Sequence, residues 1–241
     1  MGWFGDTLKV ILGMDEDQHA YRDLLAKAER LVHLGVKEHT PADIIEALSL
    51  LAECDRSLAP NAHYSYRYER TKTQAHVVLA GRSTKTLVSR IQNHEELFTS
   101  IQEGRTSLRN QIQTLQQKVK NLEAEGSLIS AREERRRLEE MEREVRDLPD
   151  LNDERARRLA DILAEVAPQF KLHRDGAVEG LKILRDIRGL SEEDQAICDK
   201  VIQRLESELQ DCEKTWNELT TDVDRQIKEL KATPAGQPAK A

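Results

Sequence analysis

LVSRIQNHEELFTSIQEGRTSLRNQIQTLQQKVKNL, residues 87–122, is the stretch that decides the fold. Read in alternating steps of four and three, it has eleven core positions, and nine of them are apolar. This spacing is typical of a coiled-coil helix, which must bury one stripe against another helix. We therefore expect a long helix that pairs within its own chain or with a second copy. The apolar positions, here called the first seam, are Leu87, Ile91, Phe98, Ile101, Leu108, Ile112, Leu115, Val119 and Leu122.

Two core positions of the first seam are polar, His94 and Arg105. Polar groups at such positions can fix the register or the oligomeric state of a coiled coil, and we expect that role for both. The same spacing recurs from Cys198 to Leu230, with Gln226 as its polar member, and this is the second seam. The two seams could pair with each other, or each could pair with its counterpart in a dimer. Assembly is expected to depend on Ile91, Phe98, Ile101, Leu108, Ile112, Leu115 and Val119 of the first seam and on Leu205, Leu209, Trp216 and Leu219 of the second.

The composition is rich in charged residues and poor in aromatic residues and proline: 34% of the 241 residues are charged, 4% are aromatic, and only six are proline. Such a composition predicts an all-α protein. We expect an elongated helical bundle or coiled coil with a long helical hairpin and an N-terminal module of short helices.

The net charge of −7 is spread along the chain without a basic segment, so a nucleic-acid partner is not expected. No run approaches the roughly 18 apolar residues of a membrane-spanning helix. The odd number of cysteines, three, predicts free thiols in a reducing compartment. These features favour a cytoplasmic location, with a peripheral position at a membrane left open.

Glycine, proline and capping residues divide the chain into predicted helices. Gly35 is expected to end a helix over 17–34, and Thr40 with Pro41 to begin the next. A third short helix is predicted to stop near Gly81, before a seam helix over 84–124, although alternating tyrosines at its start also suit a strand. The predicted segments are an amphipathic stretch at 1–15, a short-helix module at 16–82, a coiled-coil hairpin at 83–148, a return segment carrying the second seam at 149–232 and a disordered tail at 233–241.

Further capping signals lie in the second half of the chain. Gly126, followed by Ser130 and Glu133, predicts a hairpin tip at 125–130. Asn152 is expected to cap a helix that ends before Pro168, after which a weaker helix follows. Ser191 with Asp194 is predicted to open the last long helix.

Two groups of residues are candidates for binding. The N-terminal stretch is amphipathic and could anchor the chain at a membrane surface or dock on the bundle through Trp3, Phe4, Leu8, Ile11 and Leu12. The segment from His63 to Lys72 combines tyrosines with basic residues, which suits either a polar partner surface or helical packing. The candidates for that partner surface are Tyr64, Tyr66, Arg67, Tyr68 and Arg70.

Catalytic and cofactor motifs are absent from the sequence, which contains no GxxxxGK[ST], HExxH, CxxC or GxSxG pattern. The charged run at 132–147 has acids and bases spaced for same-face pairs, which predicts a solvated helix face. We therefore expect a non-enzymatic scaffold or adaptor, without cofactor, metal or small-molecule substrate, that self-associates and binds a protein partner. The alternatives are a peripheral membrane protein that inserts its N-terminal helix and a regulatory subunit of an enzyme complex.

Overall fold

The computed structural model describes residues 3–54 and 59–232, with side chains from residue 17 onward. Within those ranges the chain forms helices and no strands, so the predicted all-α class is confirmed. None of these helices is both long and apolar enough to cross a bilayer. The helices are α1 (Trp3–Lys37), α2 (Pro41–Glu53), α3 (Ala62–Ala124), α4 (Leu128–Asp147), α5 (Leu151–Asp186) and α6 (Glu192–Ala232).

Three predicted helix ends are wrong. The N-terminal stretch and the helix predicted over 17–34 form one helix, α1, which continues past Gly35 to Lys37. The third short helix and the seam helix also form one helix, α3, which includes the tyrosines and passes through Gly81. Pro168 lies inside α5. A glycine costs a helix only about 1 kcal/mol and a proline about 3 kcal/mol, so burial of a helix face can outweigh either.

Gly35 is needed for packing rather than for ending α1. A Cβ atom at this position would lie 2.5 Å from Cγ1 of Ile44, so only a glycine lets α2 approach α1 this closely. The reversal between the two helices occurs at His39, which has a φ of 61°. Thr40 occupies the predicted N-cap of α2, but its hydroxyl contacts the carboxylate of Asp43 rather than a backbone amide.

The other capping predictions have mixed outcomes. Ser191 accepts a hydrogen bond from the amide of Asp194 (3.1 Å) at the start of α6, as predicted. The N-cap of α5 is Asp150, whose Oδ1 accepts hydrogen bonds from the backbone amides of Asn152 (2.8 Å) and Asp153. The prediction that Asn152 caps this helix is therefore wrong. Helix α4 begins at Leu128, with Ser127 as its N-cap, and therefore starts ahead of the predicted Ser130 cap.

The chain divides into two compact units. The first unit takes its described residues from 1–87 and 164–219, and these described residues include two apolar clusters. One cluster joins α1 and α2 to α3, with Tyr21, Leu25, Ile44, Leu51 and Leu79 buried among others. The second cluster joins α3 to α5 and α6, with Val77, Leu181, Leu184, Leu205 and Leu209 buried.

The second unit takes its described residues from 88–163 and 220–232. An apolar cluster of its described residues joins α3, α5 and α6: Ile91 packs against the group formed by Ala156, Leu159, Val223 and Leu230. Ile91 belongs to the first seam, whereas Val223 and Leu230 belong to the second. The two seams therefore meet here within one chain. This unit also contains the turn between α3 and α4, which closes a helical hairpin.

Candidate functional site

The tip of the helical hairpin, residues 122–131, is built on a helix-ending motif. Gly126 has a φ of +74°, a left-handed conformation that glycine adopts without strain. The amide of Ser127 donates to the carbonyl of Leu122 (2.9 Å), and the amide of Gly126 donates to that of Glu123 (3.1 Å). These two bonds form a Schellman motif, which satisfies carbonyls at the end of α3. The chain then reverses directly into α4.

Contacts between the two helices hold the hairpin tip in place. Lys118 on α3 pairs with Glu134 on α4 (2.6 Å), and the hydrogen bond and charge of Lys118 lower the pKa of that carboxylate. Arg135 reaches back to Glu123. Between these polar pairs, Val119 and Ala131 are buried. The tip is therefore fixed by both apolar and ionic contacts.

Two large aliphatic side chains at this tip are exposed. Leu128 is 72% exposed and Ile129 is 82% exposed, the highest values among the large hydrophobic side chains described between residues 17 and 232. Single exposed aliphatic residues are ordinary, but an adjacent pair on a fixed turn offers a compact apolar contact. Sequence reasoning placed the hairpin tip here and missed this pair. The available signal was an apolar dipeptide between the turn glycine and a strongly charged helix.

The structure protects the first-seam residues within the chain. Phe98 and Val119 are buried, and Ile91, Ile101, Leu108, Ile112 and Leu115 are half-buried. Their neighbours on either side along α3 are mostly exposed, so one stripe of the helix faces other parts of the same unit.

The polar members of the first seam also have partners within the second unit. His94 is buried, its ring lies 4.5 Å from that of Phe98, and burial lowers its pKa. The next residue, Glu95, pairs with Arg155 of α5. Arg105 donates to the carbonyl oxygen of Pro149 (2.9 Å), at the end of the hairpin's returning helix. Control of register by His94 and Arg105 stays a prediction.

The predicted residues of the second seam lie on the inner face of α6. Leu205 and Leu209 are buried in a cluster of the first unit, and Leu219 is half-buried. Trp216 is buried and stacks on Phe170 of α5, with ring centroids 4.2 Å apart and ring planes at 5°. Such stacked pairs contribute about 0.5–1.5 kcal/mol beyond the area they bury.

The tyrosine cluster does not form a common open surface, so its assignment as a partner surface is not supported. Tyr66 and Tyr68 are buried, and the hydroxyl of Tyr68 donates to the carbonyl of Leu51 (3.0 Å). Arg67 pairs with Glu29 of α1 at 2.5 Å, and this partner raises the pKa of its guanidinium. Arg70 also approaches Glu29, and Tyr64, which is half-buried, lies under the Arg67 guanidinium. These residues join α3 to its neighbours.

Sequence reasoning missed a histidine pair in the first unit. His76 of α3 and His173 of α5 place their Nδ1 atoms 3.2 Å apart. Burial lowers the pKa of both, and the neighbouring His173 and Lys72 help to bring that of His76 to about 4. A cleft of about 560 Å³ adjoins His76, lined by Pro168, Leu172 and Ile183 as well as by charged residues. The signal in the sequence was the pair of glycines at 176 and 180, one helical turn apart on α5.

The backbone of residues 3–13 lies in α1, but the side chains of Trp3, Phe4, Leu8, Ile11 and Leu12 fall outside the described part of the chain, as does the predicted tail at 233–241. The three cysteines are unpaired: Cys54 and Cys198 are buried, Cys212 is half-buried, and burial is the main cause that raises the pKa of each thiol. Within 17–54 and 59–232, no three His, Cys, Asp or Glu side chains converge as metal ligands would.

Comparison with known proteins finds no family model, no curated protein and no solved structure that matches this chain.

Proposed function

We propose that this protein is a non-enzymatic scaffold or adaptor that binds a protein partner and reversibly self-associates through the hairpin tip. The observation that carries the proposal is the exposure of Leu128 and Ile129 on a turn that backbone and ionic contacts hold in place. A site fixed in advance loses little conformational entropy when it binds, which favours affinity.

The surroundings of the hairpin tip favour a protein as its partner. Glu125, Arg132 and Glu133 lie exposed beside the aliphatic pair and carry both signs of charge. A mixed rim gives no long-range attraction to the uniformly negative backbone of nucleic acid or to an anionic membrane. An apolar centre with a polar rim is the usual anatomy of a protein interface.

The proposal assigns self-association to the hairpin tip rather than to the seams. In the second unit Ile91 of the first seam already packs against the cluster that contains Val223 and Leu230 of the second, so a dimer through these residues would first have to open that cluster. Two exposed side chains are far less than the roughly 800 Å² that each partner buries in a stable complex. We therefore expect association through the tip alone to be weak and concentration-dependent.

The test compares the wild-type chain with Leu128→Ser/Ile129→Ser by light scattering across a concentration series. Leu97→Ser is the matched control, because Leu97 is also exposed (57%) and lies on α3 of the same unit. We expect the mass of the wild type and of the control to rise with concentration, and that of the tip variant to stay at the monomer value. Circular dichroism should show equal helicity in all three proteins.

Equal behaviour of the tip variant and the wild type would contradict self-association through the tip. The adaptor role is tested separately, with a photoreactive cross-linker placed at residue 129 or at residue 97 of the full chain in cells. Cross-links to a distinct protein from position 129 but not from position 97 would support it. The same products from both positions would contradict it.

The second candidate function is attachment to a membrane surface through the N-terminal stretch. Helix α1 begins at Trp3, so the stretch has the helical backbone on which an amphipathic face depends. Flotation of the full chain and of a chain starting at Met14 on liposomes tests this candidate. Binding by the full chain alone would support it, and absence of binding by both would contradict it.

A further inference from the structure

The histidine pair joins α3 to α5 through one hydrogen bond. The Nδ1 atoms of His76 and His173 are 3.2 Å apart, and the ring centroids are 5.5 Å apart. The nitrogens therefore lie between the rings and point toward each other. Such a contact requires that one Nδ1 carries a hydrogen and donates it to the lone pair of the other.

Two glycines of α5 set the close approach on which this contact depends. A Cβ atom at Gly176 would lie 2.7–2.8 Å from three ring atoms of His76, and a Cβ atom at Gly180 would overlap the hydroxyl of Thr73. Thr73 and Gly180 are both buried. The imidazole of His76 consequently has little room to turn away from His173 while the two helices remain in contact.

The charges around the pair come from three helices. On α3 the neighbours are Lys72 and Glu69, and on α5 they are Lys171, Asp175 and Glu179, all of which line the same cleft as His76. Asp175 is paired with Arg174, which also binds Glu213 of α6. Cys212 of α6 lies against Gly81, just over one helical turn beyond His76. Toward α1 and α2, the residues of α3 near His76 are the apolar Ala75 and Leu79, and Arg67 and Arg70, farther along α3, are paired with Glu29 of α1.

We propose that His76 and His173 form an acid-sensitive latch on the contact between α3 and α5. With both rings neutral, the N–H of one bonds to the lone pair of the other. A first added proton can bind Nε2 of the donor ring. The hydrogen bond then persists between one imidazolium and one neutral imidazole. A second proton occupies the remaining lone pair, so both facing nitrogens carry hydrogen, the bond is lost, and two like charges face each other. The contact between the helices then opens.

This latch is independent of the proposed scaffold function. Its acid range follows from the burial of both rings and from the mutual repulsion of the two imidazoliums, which together with Lys72 disfavour the charged forms. The carboxylates of the cleft act in the opposite direction, because a nearby negative charge favours the charged form of an imidazole.

The first measurement uses the unmodified full chain. Histidine ring signals are followed by NMR from pH 8 to pH 3.5, with His33, which is exposed, as the internal reference. We expect the pair to titrate in two steps, and we expect the second step to lie at least one pH unit below the step of His33. The amide signals of residues 73–80 and 172–180 should shift together with that second step. Titration of both rings together with His33 would overturn the latch.

The second measurement uses variants that keep a polar side chain but cannot take up a proton near neutral pH. The urea midpoint is determined at pH 7.5 and pH 4.5 for the wild type, for His76→Gln/His173→Gln and for the control His33→Gln. We expect the acid-induced fall of the midpoint to be clearly smaller in the double variant than in the other two. An equal fall in all three proteins would overturn the latch even if the double variant is less stable at both pH values.

Discussion

At the scale of single residues, aromatic side chains are few, so each carries a large share of the packing. The chain has three phenylalanines and two tryptophans, and one of each forms the stack between Phe170 and Trp216. The spacing of the second seam predicted that Trp216 faces inward. It could not predict Phe170 as the partner, because contacts between distant helices depend on register.

Replacing Trp216 with alanine should lower the free energy of unfolding by about 3–5 kcal/mol, as truncation of a buried aromatic residue generally does. The ring is 8% exposed, and its loss would also leave one face of Phe170 without a contact. Urea denaturation followed by circular dichroism measures the change. Ile197→Ala on the same helix is the control, because Ile197 is 46% exposed and its truncation should alter stability by only about 0.5 kcal/mol. Similar losses in both variants would contradict the assigned burial.

At the scale of helices, the sequence predicted the heptad faces and the hairpin turn better than the helix ends. Gly126 ends a helix because its φ is positive, whereas Gly35, Gly176 and Gly180 sit where another helix comes too close for a Cβ atom. These two uses of glycine look the same in a single sequence. Pro168 was misread for a related reason, since the packing of α5 on both sides of it keeps the helix continuous.

Two glycine substitutions should therefore have opposite signs. Gly180→Ala places a methyl group onto Thr73 and should destabilise the chain by about 1–3 kcal/mol, as overpacking of a tight site does. Gly104→Ala, in the interior of α3 with nothing within 4 Å of the added Cβ atom, should stabilise it by about 0.5–1 kcal/mol. Thermal or urea unfolding of the two variants beside the wild type measures both changes. If Gly104→Ala also destabilised the chain, a loss of stability in Gly180→Ala could not be attributed to the close approach of Thr73.

The first seam gives a second prediction at the scale of helices. Leu115→Asp puts a carboxylate into the protected stripe of α3 and should lower the free energy of unfolding by about 1–3 kcal/mol. Gln113→Asp puts the same group on an exposed position of the same helix and should change stability by less than about 0.5 kcal/mol. Because both variants place aspartate in the same helix, the difference between them measures the effect of the seam position and not the low helix propensity of aspartate. Equal melting of Leu115→Asp and the wild type would contradict the seam assignment.

At the scale of the whole chain, stability should decrease on acidification. The pKa of His76 is lowered to about 4, and those of His94 and His173 are also lowered, so the folded state favours their neutral forms. A histidine with a lowered pKa contributes stability that is fully present above its unfolded pKa of about 6.5 and is lost as the pH falls toward its folded pKa. For His76 this amounts to at most about 3.4 kcal/mol, and solvent screening of the partly exposed ring reduces it to roughly 2–3 kcal/mol.

The free energy of unfolding should accordingly fall most steeply between about pH 6.5 and pH 4, which urea titrations at half-unit steps would show. His94→Gln separates the contribution of the second unit from that of the histidine pair, because His94 lies among residues of the second unit alone. A free energy of unfolding that stays constant over this interval would contradict neutral burial of these rings. The heptad spacing placed His94 at a core position, whereas no pattern in the sequence indicated the burial of His76 and His173, which depends on which helices meet.

The two buried thiols, Cys54 and Cys198, allow local opening of the unmodified chain to be followed by chemical labelling. A protonated, shielded sulfur reacts with a disulfide reagent only after the surrounding helices separate, so the rate of modification measures how often each region opens. Cys54 lies in the cluster of α1, α2 and α3, and Cys198 lies in the cluster of α3, α5 and α6. Mass spectrometry of tryptic fragments after timed labelling would therefore rank the opening frequencies of these two clusters without any substitution.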